Sequence, residues 1–327
     1  MTQMSATAAG RGWSAITTTT LALALALGLT SARAEAQESY SSGQNVSPAF
    51  EGWVENEDGS FSFMFGYMNR NWLEEIDVPI GPDNSISPGP EDQGQPTHLL
   101  PRRNRFVFEV RVPADWGDQE MVWTLTTQGN IEYAYASLRT DYKVDNMVIA
   151  SETGSLGAGN STPESRANTP PVVRLIGESV RRISVGQPLM LVAEVTDDGL
   201  PRPRRRPRRR NSDSVDNPTP KLPAAALRPP TRITVGKANG LNLAWFVYRG
   251  EVSAMFQPLQ VKVWEDTRAA ANSPWAPLWY PPELPEDGLW EVEVTFDRPG
   301  TYVLRARADD GGLYHDVDVT IIVAPIS

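Results

Sequence analysis

Two acidic turns, far apart in the chain, constrain its fold more than any other feature. Thr196-Asp197-Asp198-Gly199-Leu200-Pro201 follows an apolar run, and Pro299-Gly300-Thr301-Tyr302-Val303-Leu304-Arg305-Ala306-Arg307-Ala308-Asp309-Asp310-Gly311 repeats the design with apolar and polar residues alternating. Residues at period two stand on opposite faces of a strand, and Asp-Gly pairs close turns. Each segment therefore predicts a half-buried strand that stops at an acidic turn. Further strands are predicted over 172–176, 188–195, 241–248, 252–256, 259–264, 290–296, 301–308 and 316–323, separated by turn residues. Short strands at that spacing are the pattern of a β-sandwich.

The first half is also strand-rich. Phe61, Phe63, Phe65 and Tyr67 share one face of a strand, with Ser60, Ser62, Met64 and Gly66 on the other. Phe106, Phe108, Val110 and Val112 repeat the alternation. The runs 122–126 and 131–135 flank Gln128-Gly129-Asn130 and read as a hairpin. Between Ile76 and Pro101 runs a long Pro-, Gly- and Asp-rich loop, and loops of that length are commonly functional or mobile. No segment carries a convincing helical period. A small sandwich or partly open barrel is expected over 48–150. The Gly-, Ser- and Pro-rich stretch 151–169 predicts a linker to a second domain over 170–327, and 35–47 predicts a disordered lead-in. The fold class is all-β, with two sandwich-type domains.

Residues 1–34 read as a signal peptide. Arg11 gives a small positive start, Leu21 to Leu29 an apolar run, and Ala32-Arg33-Ala34 a small-residue cleavage site. Retention as an anchor reaching back to Trp13 is the alternative. An exported chain with no cysteine has to stand on packed cores instead of disulfides, and a bacterial periplasmic or secreted protein fits that best. The formal charge is −10, and two positive charges, Arg11 and Arg33, leave with the leader, so the remainder stands at −12. That sign argues against general affinity for nucleic acid or anionic lipid.

Pro171, Gly186, the Asp197–Pro201 turn, Trp245, Phe296, Pro299-Gly300-Thr301-Tyr302 and Ala308-Asp309-Asp310-Gly311 resemble a bacterial PKD-like, immunoglobulin (Ig)-like domain over about 170–324. The insert over 201–239 departs from that pattern. The resemblance implies that Tyr302 forms a tyrosine corner and that Leu304 replaces the second Ig cysteine. Trp245 then takes the tryptophan position on the third core strand, and Leu191 or Val192 the place of the first cysteine. The first half is similar to bacterial envelope proteins through Asp58-Gly59-Ser60-Phe61, Gly66-Tyr67-Met68-Asn69-Arg70-Asn71 and Gly94-Gln95-Pro96-Thr97, a likeness that names no activity.

In Ig topology the two acidic turns emerge at one end, which brings Asp197 and Asp198 near Asp309 and Asp310. Clustered carboxylates are the chemistry of a calcium site, whereas Asp in a turn bonds its own backbone; the spacing matches no calcium loop, which favours the turn. Arg204, Arg205, Arg206, Arg208, Arg209 and Arg210, interleaved with prolines, predict an extended cationic loop able to tether acidic partners, or else an unselected insert. Trp275, Leu278, Trp279 and Tyr280 lie in a proline-rich loop without period and predict a surface that docks a protein, stacks on sugar rings or dips into a membrane interface, or else a lid on the domain's own core. His98 and His315 have no metal spacing, and Glu74, Glu75 and Asp77 after Trp72 are the residues a carboxylate-pair glycosidase would need. The expectation is a non-catalytic scaffold subunit docked on an envelope or membrane-protein assembly. A carbohydrate-binding module is the alternative and a glycoside hydrolase the third reading. No cofactor is expected apart from calcium.

Overall fold

In the computed structural model, residues 40–153, 161–203, 238–251, 254–260 and 279–326 are described. The first half packs two three-stranded sheets. One has the order β1–β2–β6, with β1 at Val46–Glu55, β2 at Phe61–Asn69 and β6 at Arg102–Val112. The other has β4 at Asn84–Ser87, β7 at Met121–Thr127 and β8 at Asn130–Ala136, in the order β4–β7–β8. A short pair, β3 (Ile76–Asp77) and β5 (His98–Leu99), forms within the long loop. Aromatic rings lock the sheets together: Phe65 stacks on Phe108 with centroids 5.1 Å apart, and both meet Trp123 edge-on, at 6.1 and 5.0 Å. The predicted hairpin is β7–β8, turning at Gln128 and Gly129, both at positive φ.

Alternation fails at one place. Phe65 pairs with Phe108, but Tyr67 pairs with Asn104, so Gly66 faces a bulge of three residues on β6. Gly66 permits this because it lacks a Cβ, which would collide with the Asn104 carbonyl and the Glu51 carboxylate. Phe106, at φ 49°, is turned to the opposite face from Phe108, Val110 and Val112. There it packs with Met64, Ile149 and Leu313. The expectation that Phe106 shares a face with Phe108 is thereby corrected.

Two short helices also correct the strand-only reading. Helix α1 (Asn146–Thr153) begins where Asp145 Oδ1 accepts from the Met147 and Val148 amides, each at 2.9 Å. Helix α2 (Pro163–Ala167) lies in the stretch expected to be linker and opens with Pro163 after a Thr162–Ser165 capping box. The lead-in differs as well. Trp72 N donates to Tyr40 O at 3.0 Å, Gln44 N to Asn71 Oδ1 at 2.7 Å, and Val46, fully buried, already belongs to β1. Residues 1–39 and 154–160 lie outside the described residues.

The second half forms two four-stranded sheets, β10–β16–β15–β12 and β13–β14–β11–β9. The strands are β9 (Val172–Leu175), β10 (Val180–Ser184), β11 (Leu189–Thr196), β12 (Asn242–Arg249), β13 (Ala254–Gln257), β14 (Leu289–Phe296), β15 (Gly300–Asp309) and β16 (Tyr314–Ala324). The sequence did not announce β10, which pairs in parallel with the end of β16. Of the strand expected over 259–264, Leu259 and Gln260 lie outside any strand, and 261–264 fall outside the described residues. Leu191, Trp245, Phe296, Leu304 and Ile321 fill the space between the sheets. The Tyr302 hydroxyl donates to the Arg298 carbonyl at 3.1 Å while its ring packs on Phe296, centroids 4.6 Å apart. That strand order and that tyrosine corner are those of an Ig-like sandwich pinned by aliphatic packing. From Tyr40 onward the two sandwiches make one compact unit.

Candidate functional site

The two sandwiches meet at a polar joint. On β15 and β16, Arg305 stands opposite Asp318 and Arg307 opposite Asp316, and directly opposed residues share a face. Each arginine grips its aspartate with two nitrogens, Arg305 at 2.7 and 2.8 Å and Arg307 at 2.6 and 2.5 Å. The β6 bulge supplies the remaining acceptors. Its freed carbonyls take hydrogen bonds from the other half of the chain, Val107 O from Arg305 at 2.5 Å and Phe106 O from Arg307 at 3.0 Å. Tyr248 lies 3.5 Å beneath the Arg305 guanidinium and Tyr314 4.2 Å beneath that of Arg307. Burial works against the charge on Arg305, but its hydrogen bonds to Asp318 and the acidic surroundings reverse this and raise its pKa. Burial pushes the Tyr248 hydroxyl up to about 12, so it stays a donor.

The long loop of the first half closes the same joint. Asp92 receives both Arg249 terminal nitrogens, at 3.0 and 2.7 Å. Tyr248 donates its hydroxyl to Gly94 O, Arg249 Nε donates to Gln95 O at 2.9 Å, and Gly250 N donates to Thr97 Oγ1 at 3.0 Å. Inside the loop, buried Asn84 donates to Val78 O and Pro96 O and accepts from the Trp123 indole, which fixes the loop on its own sandwich. The long loop thus clasps the chain's own second half. Between these groups lies a cleft of about 500 Å³ lined by Asp92, Phe108, Tyr248, Arg305, Asp316 and Asp318.

The aromatic loop is seen in part. Trp279 and Tyr280 are half-buried and line a pocket of about 290 Å³ with Trp245, Trp290, Leu243 and Leu259. Trp279 O accepts from Ala238 N at 2.7 Å, and Gln260 Oε1 accepts from Trp245 N at 3.0 Å, so both walls are tied down. The Trp245 indole N–H is buried without a partner among the described residues. Sequence reasoning placed Trp279 and Tyr280 on a loop but missed Trp290, whose only signal is a tryptophan opening a strand. Trp275, Leu278, Arg204, Arg205, Arg206, Arg208, Arg209 and Arg210 lie outside the described residues.

The acidic turns are occupied by their own backbone. Asp197 accepts from Gly199 N at 2.8 Å and Asp309 from Gly311 N at 3.1 Å. Asp198 accepts from Leu200 N and from both the amide and the hydroxyl of Thr169. Asp310 is buried, takes the Gly312 and Leu313 amides at 2.6 and 2.8 Å, and takes Asn168 Nδ2 at 2.9 Å. Burial raises its carboxyl to about 7. Among the described residues no group of three or more acidic or histidine side chains is placed to hold a metal ion. The turns therefore act as latches that hold the end of the expected linker, Asn168-Thr169, on the second sandwich. These bonds match the reading of the four aspartates as turn residues that bond backbone.

His98 is buried, with Nδ1 2.7 Å from Asp77 and Nε2 3.1 Å from Glu75. Burial disfavours its charge, yet the two carboxylates more than offset that and raise its pKa. Glu74 faces elsewhere, accepting from Gly43 N at 2.6 Å and from Gln128 at 3.3 Å. Glu74 and Glu75 thus serve different partners. His315 accepts from Val173 N through Nδ1 at 3.1 Å.

No protein-family model matches the chain, and no curated protein sequence matches it. Among solved structures, the chain is similar to titin domains Z1Z2 in complex with telethonin, at 8% identity, a TM-score of 0.22 and coverage of 86% of this chain and 98% of that one. It is likewise similar to domains 4 and 5 of the S-layer protein SbsC, at 7% identity, a TM-score of 0.20 and coverage of 86% and 98%.

Proposed function

We propose that this chain is a non-catalytic, exported interaction protein of the bacterial envelope, periplasmic or secreted. In this reading it docks as a structural subunit on the outer face of a membrane-protein assembly. The observation that carries the reading is the joint: its cleft spends its arginines on Arg–Asp pairs and backbone carbonyls. Those bonds hold two sandwiches at a set angle, which suits a spacer or scaffold. The contact would be made by the half-buried aromatic pocket of Trp279, Tyr280 and Trp290, since aromatic side chains concentrate binding energy at interfaces. A tagged pull-down from detergent-solubilised envelope of the native host tests it. The expected result is one stoichiometric membrane complex that is lost in Trp279→Ala/Tyr280→Ala. Recovery of the chain alone, or equal recovery of the complex by the variant, overturns the reading.

A further inference from the structure

The outer face of the β4–β7–β8 sheet has a composition unlike the rest of this acidic chain. On β8, Ile131, Tyr133 and Tyr135 stand in a row and are 58%, 49% and 56% exposed, while Ala134 and Ala136 between and beyond them are buried in the core. Opposite them on β7 are Thr126, Thr124 and Val122, and beyond those on β4 are Ser85 and Ser87. None of these eight side chains is Asp, Glu, Lys, Arg or His, although the chain carries 40 acidic and 30 basic residues. The Tyr133 and Tyr135 centroids are 6.1 Å apart and their planes inclined at 37°. They form two successive steps turned by the twist of the sheet.

From this arrangement we infer that the face is a binding platform for a neutral polysaccharide. A pyranose presents an apolar C–H face, which packs on a tyrosine ring, and an equatorial rim of hydroxyls, which needs neutral donors and acceptors. Tyr133 and Tyr135 offer the first, and the rows Thr124–Thr126 and Ser85–Ser87 the second. Two rings one step apart along a strand engage consecutive sugars of a linear polymer. Charge selects the occupant further. An anionic polymer or lipid surface is repelled by a chain of net charge −10, and a cationic partner finds no carboxylate on this face. The platform belongs to the first sandwich, so it is independent of the aromatic pocket proposed for protein docking.

The test uses the full chain in affinity electrophoresis through soluble neutral glucan and galactomannan. Co-sedimentation with cellulose and chitin runs alongside it, with alginate as the charged control. At least one neutral polysaccharide is expected to retain the protein, and alginate none. Tyr133→Ala/Tyr135→Ala should weaken that binding by at least about tenfold, whereas Tyr133→Phe/Tyr135→Phe, which keeps the rings, should stay within about threefold. Circular dichroism and the melting temperature of each variant establish that it is folded. Failure to bind any of the neutral polymers, or equal binding by the alanine variant, overturns the inference. So does a dimer that the alanine variant dissociates in sedimentation velocity without any glycan binding, because the face then belongs to a second copy.

Discussion

Two outward sheet faces of this protein invert the simple rule of apolar inside and polar outside. The face of β15–β16 buries Arg305 and Arg307 between the sandwiches, with Asp316 half-buried and Asp318 exposed at its edge, while the face of β8 that carries Ile131, Tyr133 and Tyr135 is in solvent. Each solution is permissible for its own reason. Charges tolerate burial when every donor finds an acceptor, and here bidentate aspartates, the Phe106 and Val107 carbonyls and two tyrosine rings supply them. An exposed tyrosine needs no compensation, since its hydroxyl stays hydrated. Burial, then, follows what docks on a face, and polarity sets only the terms of docking.

The largest expected effect breaks the buried face. Arg307→Met takes the bidentate donor from Asp316, leaving it only Arg305 Nη1 at 3.5 Å, and takes the donor from the Phe106 carbonyl; it should cost about 3 kcal/mol in urea unfolding. Adding Asp316→Leu removes the poorly paired charge and should recover part of that loss; a double variant as unstable as the single one would mean that the lost bond to the Phe106 carbonyl carries the cost.

Titration sharpens the comparison next. Asp310 rises from an ordinary 3.8 to about 7, so the folded chain keeps a proton that the unfolded chain has already released. Stability should therefore fall as pH climbs through that window and be level with respect to this group above it. His98 is raised above its ordinary 6.5, so its contribution is fully present below that value and lost as pH rises through the higher folded one. Asp310→Asn should flatten the lower window, because an amide does not titrate there. His98→Gln should flatten the upper one. Urea midpoints from acid to mildly alkaline pH separate the two.

A smaller loss, about 1 kcal/mol, is expected for Tyr302→Phe, which deletes the corner hydrogen bond to Arg298 and keeps the ring on Phe296. The smallest belongs to the open face. Tyr133→Ser/Tyr135→Ser should change stability by less than about 0.5 kcal/mol. A larger loss in thermal unfolding would show that the tyrosines hold the sheet, and would remove the contrast between the two faces.

Much of the second sandwich was legible because its determinants are local. Tyr302 two residues before Leu304, Trp245 in a continuous apolar run, and Asp-Gly turns at strand ends each act within a few residues of themselves. The first half was less legible where a distant residue decides the outcome. Phe106 reads as the partner of Phe108 until Gly66, on another strand, lets three residues bulge and reverses its face. Helices α1 and α2 are too short for a period of 3.6 to emerge, leaving only Asp145 and Thr162 as capping signals. Gly94-Gln95-Pro96-Thr97 stood out in sequence as a motif without a role. Its role is to receive Tyr248, Arg249 and Gly250.

The sequence by itself determined the all-β class, the alternation that fills each core and the Ig-like corner, because a pleated strand sorts its own side chains at period two. Only the tertiary structure decided that Arg305 and Arg307 are interior, that the long loop is a clasp and that the aspartate turns are latches. A strand specifies two faces, but which of them meets water depends on surfaces that come from elsewhere in the chain.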